Sequence, residues 1–133
     1  MPNEAGRLLV VDDDGVSRAV LQNLLEMQGH TVTVAKNGAE GLELARKQAF
    51  DLILLDILMP GMDGFDVVDA LKKDAALRTL PVVMISSVED MPSVVRCVKL
   101  GADDYIFKPF DEVLLKARVD ACLERKRLRE RNS

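Results

Sequence analysis

Short apolar runs alternate with stretches of helical periodicity five times along this chain. RLLVV at 7–11 reads as a first strand. The segment 17–27 follows it, with Val20, Leu21, Leu24 and Leu25 at helical spacing and Gly29 closing the helix. TVTVA at 31–35 is rich in β-branched residues and predicts strand two. Asn37-Gly38 then turns the chain into a helix over 39–47, whose faces are set by Leu42 with Ala45 or Arg46. Strand three, 52–56, is apolar on both faces until it meets Asp56, as a strand buried in a parallel sheet must be. Past the loop Met59-Pro60-Gly61-Met62-Asp63-Gly64, a helix over 65–73 carries Val67, Val68 and Leu71 inward. PVVMIS at 81–86 is strand four, 92–100 a helix ending at Gly101, and 105–107 strand five. The last helix begins near 111 and runs into a basic tail.

Five such units predict an α/β fold, a doubly wound parallel sheet with helices on both faces. In these sheets chemistry sits beyond the carboxyl ends of the strands. Here those ends carry Asp12 and Asp13, then Asp56, Ser86 and Lys108; strand two ends in Ala35-Lys36, with nothing reactive. Three acids, a hydroxyl and a lysine therefore point at one edge.

Composition narrows the classes. At 133 residues, with 48% hydrophobic and 30% charged residues, the chain fits one globular domain. The start, Met1 to Gly6, has no export pattern, and no apolar run approaches the ~18 residues of a membrane span, so a cytoplasmic location is expected. Cys97 and Cys122 fit no metal or redox spacing and read as small buried hydrophobes. His30, after a turn glycine, reads as structural. The net charge of −4 hides a basic end: Arg125, Lys126, Arg127, Arg129 and Arg131. With Glu124 and Glu130 among them, they read as a solvated helix end rather than a nucleic-acid patch.

Three carboxylates brought together repel one another, and a divalent hard cation relieves them. Mg²⁺ takes oxygen ligands, keeps several waters and is commonly held by one or two carboxylates plus a phosphate oxygen. Asp56 and one of Asp12 and Asp13 suit direct ligation, the other acid holding a coordinated water, with the Leu58 backbone carbonyl completing the set. The run Asp12-Asp13-Asp14 leaves the ligands open by one register. A carboxylate is also a nucleophile toward phosphorus, and phosphoryl transfer rests on positioning and charge neutralisation. Lys108 and the Ser86 hydroxyl suit the remaining phosphoryl oxygens.

From Leu8 to about Leu123 the chain resembles the CheY-like receiver domains of two-component response regulators. The matching pieces are LVVDD (Asp12, Asp13), LILLDILMPGMDG (Asp56), VVMISS (Ser86) and GADDYIFKPF (Tyr105, Lys108). The resemblance implies the flavodoxin-like strand order 2-1-3-4-5 and a cis Lys108–Pro109 bond. It implies Mg²⁺, for which Mn²⁺ substitutes, bound by Asp12 and Asp13, with Asp56 phosphorylated by a histidine kinase or phosphotransfer protein. Lys108 would contact the phosphoryl group, and Ser86 and Tyr105 would form the conformational switch. The surface of helix 4, strand 5 and helix 5 would then change to control an output domain, an effector or a second copy of the chain. Such a domain is no conventional enzyme; it catalyses its own aspartyl phosphorylation and dephosphorylation.

Three positions depart from the common pattern. Ser86 stands where threonine is frequent, and it keeps the hydroxyl. Leu58 and Val88, two residues beyond Asp56 and Ser86, are apolar where polar residues often occur, so attack by water is hindered and a long-lived phosphorylated form is expected. The domain is expected over 1–123, with 124–133 a basic extension of the last helix leading toward an output domain; Leu114, Ala117, Ala121 and Leu128 lie near heptad spacing there. The rival reading is a phosphatase of the haloacid-dehalogenase type, with Asp12 as nucleophile and Asp14 as acid/base. That family's metal acids should follow the lysine, but Asp103-Asp104 precede it, and Asp56 would have no role. Asp14, Asp51, Asp63, Asp66, Asp103 and Asp104 read as turn and cap residues.

Overall fold

Buried parallel strands need apolar side chains on both faces, and the third strand shows the pattern at its fullest. In the computed structural model, which describes residues 5–131, Leu52–Asp56 (β3) is buried at every position. It lies between Arg7–Val11 (β1) and Val82–Ser87 (β4). Thr31–Ala35 (β2) pairs outside β1 and Asp104–Lys108 (β5) outside β4, giving a five-stranded parallel sheet of order 2-1-3-4-5. Each of Leu52, Ile53, Leu54 and Leu55 is fully buried, worth about 1.5–3 kcal/mol apiece relative to exposure.

Two apolar layers cover the sheet. Gly15–Met27 (α1) and Glu112–Arg131 (α5) pack Leu21, Leu25, Leu115, Val119, Cys122 and Leu123 against Leu8, Val10, Leu54, Val83 and Ile106. On the other face, Gly38–Lys47 (α2), Gly64–Lys73 (α3) and Met91–Leu100 (α4) pack Leu42, Ala45, Val67, Val68, Leu71, Val94 and Cys97 against Leu9, Ile53, Leu55 and Met84. Both cysteines are buried and unpaired by disulfide, with thiol pKa values pushed up to about 11 by burial.

Short polar side chains start the helices. Asp14 accepts from the Val16 N–H at α1, Asn37 from the Glu40 N–H at α2 and Asp111 from the Leu114 N–H at α5. Asp63 and Asp66 form a reciprocal capping box at α3. Gly101 ends α4 with φ +120°, which a side-chain-bearing residue rarely adopts. The expected helices and strands are all present, with ends shifted by a residue or two. One expected face is corrected: Leu21 and Leu25 are fully buried, but Val20 is 45% exposed, because α1 turns its other side to the sheet.

The last helix continues to Arg131. Lys126 ties it to the start of β3, pairing with Asp51 at 3.4 Å and with Glu130. Asp51 also accepts from the Arg7 N–H at 2.8 Å. The heptad-spaced positions Leu114, Ala117 and Leu128 face solvent, since Leu115, Val119, Cys122 and Leu123 take the sheet side. Met1 to Glu4 and Asn132-Ser133 lie outside the described residues, and the readings of the extreme termini with them.

Candidate functional site

Asp12 leaves β1 with its backbone fixed before its side chain is considered. Its N–H donates to the Ala35 carbonyl of β2 at 3.1 Å, and its own carbonyl accepts from Arg18 Nη1 at 2.9 Å. Asp12 is fully buried; Oδ1 accepts from the Asp14 N–H at 3.0 Å, while Oδ2 accepts no hydrogen bond. Asp13 is exposed beside it, and Asp14 turns away to cap α1. Of the three consecutive acids, Asp12 and Asp13 offer oxygens toward Asp56, while Asp14 is engaged at the start of α1.

Asp56 ends β3 under Asp12. It is 7% exposed, and its Oδ1 accepts from the Leu58 N–H at 3.3 Å. The loop that follows closes on itself through Gly64, whose N–H donates to the Ile57 carbonyl at 2.8 Å. A Cβ at Gly64 would stand 2.7 Å from Ile57 Cα and 2.8 Å from the Asp56 carbonyl oxygen, so only glycine permits this approach. The sequence motif held that glycine, but its contact with the backbone of Asp56 and Ile57 was not legible there. Arg18 was likewise missed. Its place on the first turn of α1 was the available signal.

From β5, Lys108 reaches both buried acids. Its Nζ lies 3.4 Å from Asp12 Oδ2 and 3.5 Å from Asp56 Oδ2. Burial works to lower the lysine pKa, but the Asp56 and Asp12 charges outweigh it and hold the ammonium charged. For Asp56, burial and the neighbouring Asp12 carboxylate push the pKa up to about 7, against the opposing pull of Lys108. The Lys108–Pro109 bond is cis.

Ser86 is buried at the end of β4, its hydroxyl donating to the Ser87 carbonyl at 3.1 Å. Tyr105 is half-buried on β5, opposite Met84 in the register, with its ring 5.2 Å from that of Phe107. Leu58 is 63% exposed beside Asp56. Val88 opens a short 3₁₀ turn after β4, and its side chain lies outside the described residues. His30 is buried; its Nδ1 accepts from the Gly6 N–H at 3.0 Å, a structural role.

Asp12, Asp13 and Asp56 each offer an oxygen within 4.8 Å of the others. Three acids offering oxygen donors, with one lysine ammonium shared between the two buried ones, leave excess negative charge, the donor set a hard divalent cation fits. The residues present fit Mg²⁺.

Over residues 8–120 the chain matches the response regulator receiver domain family. The transcriptional regulatory protein AfsQ1 of Streptomyces coelicolor is 40% identical over 118 residues, which are 89% of this chain and 51% of that protein. PilH of Pseudomonas aeruginosa is 38% identical over 117 residues, covering 88% of this chain and 97% of PilH. The receiver domain of NtrX from Brucella abortus superposes with a TM-score of 0.83 at 34% identity, covering 88% of this chain and 98% of that one. This chain belongs to the response regulator receiver domain family, the phosphorylation-controlled switches of two-component signalling. It spans about half the length of the transcriptional regulators it matches. Among the described residues no helix is long and apolar enough to cross a membrane.

Proposed function

We propose that Asp56 is the phosphoacceptor of this domain, receiving a phosphoryl group from a phosphohistidine. An Asp56 carboxylate oxygen attacks phosphorus, the P–N bond breaks, and the histidine leaves with its nitrogen lone pair. Mg²⁺, held by Asp12, Asp13, Asp56 and the Leu58 backbone carbonyl, supplies charge neutralisation at the transferring group. The Lys108 ammonium, already held between the two buried acids, contacts a second phosphoryl oxygen. The Ser86 hydroxyl gives up the Ser87 carbonyl for a third. Tyr105 then turns into the space Ser86 leaves, and the surface of α4, β5 and α5 changes for an output domain, an effector or a second copy of the chain. Residues 1–123 form the receiver, and 124–133 are a basic extension that leads toward an output domain.

One observation carries this reading: the buried Asp12 and Asp56 carboxylates converge on a single lysine, whose one positive charge does not balance two acids. The phosphatase reading needs Asp14 at the centre, and Asp14 instead caps α1. Phosphorylation with acetyl phosphate and Mg²⁺, followed by borohydride reduction and peptide mapping, separates the two. Label on Asp56, lost in Asp56→Asn, is expected; label on Asp12 would overturn the assignment. Lys108→Ala should still bind Mg²⁺ but no longer couple phosphorylation to the Tyr105 movement.

A further inference from the structure

A switch residue needs something to hold its resting position. β5 is the edge of the sheet, paired only with β4. Its side chains divide between the faces: Ile106 packs into the layer under α1 and α5, while Tyr105 and Phe107 pack against the layer under α2, α3 and α4. Arg118 belongs to α5, on the first of these faces, yet its guanidinium reaches Tyr105 on β5. Nη1 lies 2.7 Å from Asp104 Oδ1, and the guanidinium carbon sits 5.1 Å from the centroid of the Tyr105 ring. The same Asp104 oxygen accepts from the Tyr105 N–H at 2.8 Å. One carboxylate oxygen thus fixes the main chain of Tyr105 and the cation that covers its ring.

This is not a loosely solvated surface pair. The Arg118 side chain is 29% exposed, that of Asp104 18%, and Arg118 Nε is buried without a hydrogen-bond partner. Ion pair and ring contact together offset that burial. The two contacts differ in what happens when Tyr105 turns. Asp104 keeps its hold on Arg118 because neither group belongs to the tyrosine side chain, whereas the contact with the ring is lost.

We propose that Arg118 is a positioning residue of the switch: its guanidinium holds the Tyr105 ring in the resting orientation and so raises the phosphoryl signal needed to move it. This rests on the reading of Tyr105 as the switch partner of Ser86. An interaction present only in the resting state lowers the population of the competent state, and the apparent affinity for anything that selects the competent state falls by the same factor.

The chain offers a clean probe, since it has one tyrosine and no tryptophan, so intrinsic fluorescence reports Tyr105 alone. Beryllofluoride, standing in for the phosphoryl group on Asp56, is titrated at saturating Mg²⁺ into the full chain and its Arg118→Ala and Arg118→Lys variants. The Arg118→Ala midpoint is expected about two- to fivefold below the parent's. Arg118→Lys, which keeps a cation near the ring without the planar face, should fall between them and covers the case in which the alanine variant does not fold. A merely structural Arg118 would lower the melting temperature and leave the midpoint in place. A parent protein whose fluorescence ignores beryllofluoride overturns the switch reading itself. A responsive parent whose Arg118 variants titrate at an equal or higher concentration overturns the role of Arg118 alone.

Discussion

At the scale of single residues, Asp56 is the group whose environment most changes its chemistry. Burial and Asp12 raise its carboxyl to about 7, so a proton and a divalent cation compete for the same oxygens near neutrality. Mg²⁺ affinity is therefore expected to fall below pH 7, approaching tenfold per unit, and to level off above pH 8. Calorimetric titrations at several pH values check this, and an affinity indifferent to pH would remove Asp56 from the ligand set. The sign for stability follows from the same shift. A carboxyl raised in the folded state holds its proton more tightly than in the unfolded chain, so its contribution is fully present below about pH 4 and is lost as pH rises through about 7. Without Mg²⁺ at pH 8, Asp56→Asn should stabilise the protein by on the order of 1–3 kcal/mol, measured by urea unfolding. Leu58 gives a second test. Its side chain is 63% exposed, so Leu58→Asn costs little stability and isolates the chemistry. A polar group there gives an attacking water one more hydrogen bond, worth about 1 kcal/mol, and loss of phosphate should quicken on the order of fivefold. An unchanged rate would end the idea that an apolar residue at 58 protects the acyl phosphate.

At the scale of elements, what was legible depended on the kind of pattern involved. Strand β3 announced itself, because a segment buried on both faces has no polar position until it reaches the site. The inward faces of α3, at Val67, Val68 and Leu71, were equally plain. The face of α1 was less so: Val20, Leu21, Leu24 and Leu25 form one apolar arc, and only packing decides that Leu21 and Leu25 take the centre while Val20 faces water. Strand-end position alone brought Asp12, Asp56, Ser86 and Lys108 together. Arg18 and Arg118 stayed hidden because each acts through a partner far along the chain or through backbone, with no residue-type signature. The loop after β3 shows the same limit. Gly64 is a steric necessity against Ile57 and the Asp56 carbonyl, and no side-chain pattern records that. Gly64→Ala is expected to destabilise by about 1–3 kcal/mol through forced backbone displacement. Since the displaced backbone belongs to Asp56, the proposed acceptor, phosphorylation by acetyl phosphate should slow as well. A fully stable variant with parental kinetics would mean that the loop yields freely.

At the scale of the whole molecule, the two helices that flank the β4–β5 edge carry apolar side chains the domain does not use. α4 leaves Met91 40%, Val95 45% and Val98 45% exposed, and the first turn of α5 leaves Val113 79% and Leu114 44% exposed. These side chains flank the strand that bears Tyr105, so a movement of the proposed switch would change how they present themselves to a partner. A second copy of the chain is the partner that can be tested without knowing any other. A stable pair buries at least about 1,000 Å² with an apolar centre, and a charge placed in that centre without a counter-ion is strongly unfavourable. Beryllofluoride with Mg²⁺ is expected to raise the weight-average sedimentation coefficient toward that of a dimer, and Asp56→Asn should abolish the response. Val98→Glu should weaken association at least about tenfold while leaving the Tyr105 fluorescence change intact, because Val98 is 45% exposed and belongs to neither apolar layer of the core. Retained association in Val98→Glu would move the contact to another face. A protein that stays monomeric while Tyr105 responds would show that the exposed side chains serve a different partner, and that the switch works within one chain.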